Sequence, residues 1–232
     1  MADGVGGGPA GDLASAVLVH RLTAGRLNVA DEEELVRAVR GANWDIWAHT
    51  QRDPSLEGMS TTLTGLVVSI TGEVLIAHSG DSRAYRLRDD RLSRQTRDDS
   101  LVQALVDRGI IAPDEAATHP RRNIVTASLS GGLEDGVSVM HADAAIGDRW
   151  LLCSDGVSDY LPDDAIADEL RAHADATAAA DGVVQAALIA GTRDNVTAVV
   201  CDLVDGDVPV RGQADFYGAA AVRFVERLDE AG

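Results

Sequence analysis

Two hydrophobic periods alternate along this chain, and their order constrains its fold more than any other feature. Apolar residues recur at helical spacing over 12–23, where Leu13, Ala16, Val17 and Leu22 share a side. They do so again from Asp31 to about 49, through Leu35, Val36, Val39 and Trp44. Asp31 is placed to cap that second helix, and Glu32 to Glu34 complement the positive end of its dipole. The period then drops to two and the residues become β-branched. Segments 61–70, 74–77, 83–87 and 91–96 read as four short strands joined by tight turns. Helical spacing at 102–106 and a Pro113 start precede strands at 136–141 and 149–153. Helices at 162–173 and 176–190 and a strand at 196–204 follow. Strands come in hairpin-connected groups with helix pairs between the groups, rather than in strict βαβ alternation. The expected class is therefore α+β, with antiparallel sheets packed against helices.

A length of 232 residues suits one domain with a tail. The domain is expected over 1–204. A Gly/Asp/Pro linker then leads to an amphipathic helix over 216–228, whose stripe is Phe216, Ala220, Phe224 and Leu228. The glycine-rich stretch 1–12 is expected to be irregular. With 45% hydrophobic but only 3% aromatic residues, the core must be built from Ala, Val, Leu and Ile.

All 20 basic residues are Arg. The absence of Lys excludes a Schiff-base enzyme, a P-loop NTPase and a protein kinase, each of which needs an amine at a fixed place. A net charge of −18 argues against nucleic acid as a partner. Cys153 and Cys201 lack the spacing of a zinc site and read as reduced core thiols. With no secretory leader and no apolar run of membrane-spanning length, the expected location is the cytoplasm, away from membranes.

There is no GxSxG or HExxH, and the six His are scattered. Residues 6–11 formally match GxGxxG, but only five residues precede them, too few for the strand a dinucleotide site requires. A stronger pattern is Asp placed beside a turn-forming residue: Asp3-Gly4, Gly80-Asp81, Asp155-Gly156 and Asp194-Asn195. Any one such pair can be a plain turn. Three of the four, however, adjoin strongly apolar strands whose ends can meet on one rim. Clustered carboxylates repel unless a cation neutralises them, and all-oxygen ligands select hard ions such as Mg²⁺, Mn²⁺ or Ca²⁺.

The same residues carry a family resemblance. Asp3-Gly4-Val5-Gly6-Gly7 resembles the DGxGG motif of the PPM family, the metal-dependent protein serine/threonine phosphatases. Similar in the same order are Gly58-Met59-Ser60-Thr61-Thr62, 78–85 (His-Ser-Gly-Asp-Ser-Arg-Ala-Tyr), 152–156 (Leu-Cys-Ser-Asp-Gly) and 193–197 (Arg-Asp-Asn-Val-Thr). The resemblance runs from about Asp3 to Val204. It implies two antiparallel sheets sandwiched between helix pairs, four layers in αββα order, and a bacterial-type flap near 107–122.

It also implies roles. Asp3 would bridge two Mn²⁺ or Mg²⁺ ions with help from the Gly4 carbonyl, Asp155 and Asp194 would ligate the second ion, and Asp81 with Asp155 would hold a third. Asp3, Asp155 and Asp194 would carry catalysis, in which a water shared by two dications becomes a hydroxide that attacks phosphorus in line. Substrates would be phosphorylated proteins, the products of a serine/threonine kinase in signalling. Against the family pattern, the chain lacks the N-terminal strands that supply a phosphate-binding Arg and a further acidic ligand, so an N-terminally truncated fold is expected. Gly8 stands where bacterial members often have His. These departures motivate an alternative, a non-catalytic phosphatase-like binding or regulatory module.

Overall fold

Asp31 caps helix α2 (Glu32–Arg52) as its position predicts: the Glu34 N–H donates to Asp31 Oδ1 at 2.9 Å, and Glu34 Oε2 accepts from the Ala30 N–H at 2.8 Å. The first bond satisfies one of the donors a helix start leaves open, and the second ties the residue before the cap to the first turn. The structure is a computed structural model that describes residues 1–5, 10–23, 27, 29–206 and 214–223. They divide into two compact units. One holds Ala2–His78, Ser128–His141 and the described part of Gly206–Gly232; the other holds Ser79–Ala127 and Ala142–Asp205 together with Met1.

In the first unit, helices α1 (Gly11–Thr23) and α2 lie against strands β3 (Leu63–Val68), β4 (Val74–Ser79) and β7 (Ser138–His141), in sheet order β3-β4-β7. β7 runs antiparallel to β4, with Ile76 opposite Met140. Leu35, Val39, Ala42 and Ile46 fall on one stripe of α2 and are buried with Val17 and Leu18 of α1, Leu63, Leu75 and Ala77. A second, two-stranded ribbon pairs β1 (Gly4–Val5) with β2 (Ser60–Thr61), Gly4 opposite Thr61. Here the expectation of irregular structure over 1–12 is corrected. Gly4 and Val5 gain a strand partner from far along the chain, and Gly11 is already helical.

The second unit is a four-stranded antiparallel sheet, β6-β5-β8-β9, built from β5 (Arg83–Arg88), β6 (Arg91–Arg94), β8 (Arg149–Cys153) and β9 (Ala198–Asp202). β8 lies between β5 and β9, and its run Trp150 to Cys153 is buried throughout rather than alternating, so both of its faces are covered. Register puts Tyr85 opposite Leu151 and Leu151 opposite Val200. That face packs on α6 (Asp163–Ala172) and α7 (Ala176–Ile189) through Ile166, Leu170, Ala179, Val183 and Ala187. Ala179 and Ala187 of α7 are fully buried in this contact, as a core poor in aromatics requires. Helix α3 (Leu101–Asp107) leads into the segment 107–122 expected to be the flap, and the short α4 (Pro113–Ala116) lies within it.

The C-terminal helix expected over 216–228 is different in its described part. One turn forms, α8 (Ala219–Val222), after Gly218 at φ 60°. Phe216 precedes it, and 224–232 lie outside the described residues, as do Gly6 to Pro9 of the GxGxxG match.

Candidate metal centre

Strand β8 passes through Ser154 into a single helical turn, α5 (Asp155–Ser158), with Asp155 at its first position. Ser154 is fully buried and ties this turn to the loop before β9. Its hydroxyl donates to the Asn195 carbonyl at 3.1 Å and accepts from the Thr197 N–H at 3.1 Å, while its own N–H reaches the Thr197 carbonyl at 3.1 Å. Gly156 lies against the same loop so closely that a Cβ there would stand 2.2 Å from the Asn195 oxygen. Only glycine permits that approach. The Asp155 turn and the Asp194-Asn195 loop are thereby fastened together. Asp194 is exposed, and its Oδ1 accepts from the Asn195 N–H at 2.8 Å.

Asp81 occupies the turn between β4 and β5, a turn held by Asp99. The Gly80 N–H donates to Asp99 Oδ2 at 3.1 Å, and the Asp99 N–H donates to the Gly80 carbonyl at 2.7 Å. Burial first, then the charge of Asp155, with Asp98 and Asp159 adding, push the Asp81 carboxyl up to about 7. Nearby guanidiniums are engaged elsewhere. Arg83 and Arg94 pair with Asp98 at 2.8 and 2.5 Å, and Arg122 pairs with Asp159 at 3.4 Å. Burial raises Asp159 as well, against the pull of Arg83 and Arg122.

Asp81 and Asp155 are both half-buried, and the charge of Asp155 reaches the Asp81 carboxyl; a divalent cation relieves such a pair, and the donors are all oxygen, so the two fit a hard ion. Among the described residues, no three of His, Cys, Asp and Glu converge as a complete ligand set.

Asp3 and Gly4 belong to the other unit, where two threonines fix the Asp3 backbone. The Asp3 carbonyl accepts from the Thr62 N–H at 2.7 Å and the Thr61 hydroxyl at 2.8 Å, and the Asp3 N–H donates to Thr62 Oγ1 at 3.1 Å. Both threonines are buried. Thr61 and Thr62 lie in the quoted 58–62 motif, and Ser154 in the 152–156 motif, but nothing in the sequence assigns them these bonds; two adjacent threonines before an apolar strand are the visible signal. Asp98, Asp99 and Asp159 stand outside the quoted motifs, and the Asp-Asp-Ser run at 98–100, whose Ser100 caps α3, marks the first two.

No family model matches the chain. Among curated proteins, it is 40% identical over 214 residues to the serine/threonine protein phosphatase PstP of Mycobacterium tuberculosis, covering 89% of this chain and 40% of that protein. It is 33% identical over 222 residues to the serine/threonine phosphatase stp of Listeria monocytogenes, covering 92% of this chain and 86% of the relative. A solved PPM Ser-Thr phosphatase, MsPP of Mycobacterium smegmatis in complex with cacodylate, superposes with a TM-score of 0.78 at 35% identity, covering 87% of this chain and 86% of that one. The chain belongs to the PPM family of serine/threonine phosphatases. The catalytic domain of PstP, solved with two manganese ions, matches at a TM-score of 0.76 and 39% identity over 88% of this chain and 86% of that one. The PPM fold accounts for the α+β class with antiparallel sheets. This PPM chain spans only 40% of the PstP length.

Proposed function

We propose that the chain hydrolyses phosphoserine and phosphothreonine in proteins, using two Mn²⁺ or Mg²⁺ ions held by Asp3, Gly4, Asp155 and Asp194, with Asp81 and Asp155 available to a third. Segment 1–204 is the phosphatase domain in this reading, and 205–232 a linker and helix. The reading is supported above all by the extent of the likeness to stp, which spans most of both chains. Two such ions, when bound, supply a bridging hydroxide as nucleophile and positive charge for the phosphoryl oxygens. The chain's own contribution is orientation. Thr61 and Thr62 hold the Asp3 backbone still, and the Gly4 carbonyl follows it in register. Ser154 and Gly156 keep the Asp155 turn against the Asp194-Asn195 loop, so that neither carboxylate drifts when charge is taken up. A chain of −18 would otherwise repel an anionic substrate, and cations remove that barrier.

Among the described residues no helix is long and apolar enough to cross a membrane. The substrates in this reading are products of a serine/threonine kinase, met in the cytoplasm. Phosphate release from a phosphothreonine peptide in Mn²⁺ tests the reading: the wild-type chain turns over, and Asp155→Asn abolishes most of the rate. An unchanged rate in Asp155→Asn removes the assigned role, and absence of turnover with any divalent metal in a folded sample favours the non-catalytic module.

A further inference from the structure

The described C-terminal segment, 214–223, is fastened to both ends of α1. At the helix start, Arg223 Nε and Nη2 lie 2.8 and 2.5 Å from one carboxylate oxygen of Asp12. In the last turn, His20 Nε2 is 2.6 Å from the Ala220 carbonyl, and its ring stacks on Phe216 with centroids 4.1 Å apart and planes at 21°. Ala220 is buried in that contact. What α1 touches gives the fastening a meaning. A Cβ on Gly4 would stand 2.3 Å from the Gly11 carbonyl carbon, so the first residue of α1 rests on the backbone of β1 without slack. Gly4 is paired with Thr61, which also holds the Asp3 carbonyl. A continuous set of contacts therefore runs from Arg223 through Asp12, Gly11 and Gly4 to Asp3.

We propose that Arg223 and His20 are positioning residues: the C-terminal segment clamps α1 so that Gly11 holds Gly4, and with it Asp3, in place for metal binding. The inference rests on the assignment of Asp3 under Proposed function. A helix that merely packs on α1 would add stability and leave the Asp3 segment indifferent to its loss. A clamp acting through rigid contacts changes the order of that segment, and couplings of this kind shift binding by roughly twofold to thirtyfold.

The test uses the full chain, stripped of metal, as wild type, Arg223→Glu, Arg223→Lys and His20→Phe. Two quantities are read: amide hydrogen exchange at Thr62, whose N–H bonds the Asp3 carbonyl, and the Mn²⁺ dissociation constant by calorimetry. Arg223→Glu sets a negative charge against Asp12. It is expected to speed Thr62 exchange by about tenfold and weaken Mn²⁺ by about fivefold, within the range above. His20→Phe keeps the ring stack but loses the bond to Ala220, and changes both in the same direction. Arg223→Lys keeps the charge and restores both to within about twofold. An unchanged Thr62 amide in Arg223→Glu and His20→Phe overturns the clamp, even if the melting temperature falls. If the wild-type chain takes up no Mn²⁺, the reading of Asp3 as a ligand falls and this inference with it.

Discussion

Two serines four residues apart sit in opposite hydrogen-bonding situations, so truncating each to alanine should have opposite outcomes. Ser154 Oγ both donates to the Asn195 carbonyl and accepts from the Thr197 N–H, each at 3.1 Å, in a site with no solvent exposure. Ser154→Ala leaves those two backbone groups without that partner, at about 1–3 kcal/mol for each if nothing replaces it. Partial relaxation of the exposed Asn195 loop brings the expected total to about 2–4 kcal/mol. Ser158 Oγ is buried with no hydrogen-bond partner among the described residues. Ser158→Ala removes a hydroxyl that was desolvated without return and is expected to be neutral or to stabilise by up to about 1 kcal/mol. Urea unfolding of metal-stripped protein at fixed pH measures both, with unchanged slopes confirming a common unfolded state. Ser154→Ala should also lower the melting temperature by roughly 4–16 °C, at about 2–4 °C per kcal/mol for a chain of this size. Equal losses in the two variants, or a loss below about 0.5 kcal/mol in Ser154→Ala, would refute the reasoning.

Gly156→Ala puts a methyl 2.2 Å from the Asn195 oxygen and must push the Asp194 loop outward. It is expected to cost about 1–3 kcal/mol of stability and, on the proposed role of Asp194, to cut phosphatase turnover by about a hundredfold through a displacement of up to about an ångström; wild-type kcat would contradict this. Asp148 is held well below the usual carboxylate range by Arg88, whose Nε and Nη2 lie 2.5 and 2.7 Å from its oxygens, and by the Ala145 N–H. Because its folded value is depressed, its stabilisation is full above the unfolded value of about 4 and is lost as pH falls through the folded value. The stability gap between wild type and Asp148→Asn should therefore be wide at pH 6 and close in acid; a gap independent of pH would count against it. Burial pushes the Cys153 thiol up to about 12, whereas Cys201, expected in the core with it, is exposed on β9 at the sheet edge. One thiol should react with a disulfide reagent in native protein at pH 8, and two in urea; two in native protein would mean that β8 opens readily.

Local chemistry made much of the fold legible in the sequence. Asp31 and Glu34 mark the start of α2 within a few residues, and the unbroken apolar run of β8 announces a strand covered on both faces. The four-residue α5 was missed because a single turn shows no periodicity, and β1 because its partner, Thr61, lies far along the chain. The same division holds for the candidate site. Asp3, Asp81, Asp155 and Asp194 stand out because each sits beside a turn residue. The groups that support them do not, since Thr61, Thr62, Ser154 and Asp99 act through bonds to backbone groups brought near only by folding. His20 falls at helical spacing with Leu13, Ala16, Val17 and Leu22, and nothing local pairs it with Ala220, 200 positions away.

Anomalous diffraction at the manganese edge, on crystals of the full chain grown with Mn²⁺, addresses the assigned ligands without recourse to kinetics. Two strong peaks are expected, each at about 2.0–2.6 Å, the range of hard cations on oxygen, from carboxylate oxygens drawn from Asp3, Asp155 and Asp194. Peaks elsewhere, or none in crystals whose Asp3 and Asp155 are well ordered, would contradict the proposed metal chemistry.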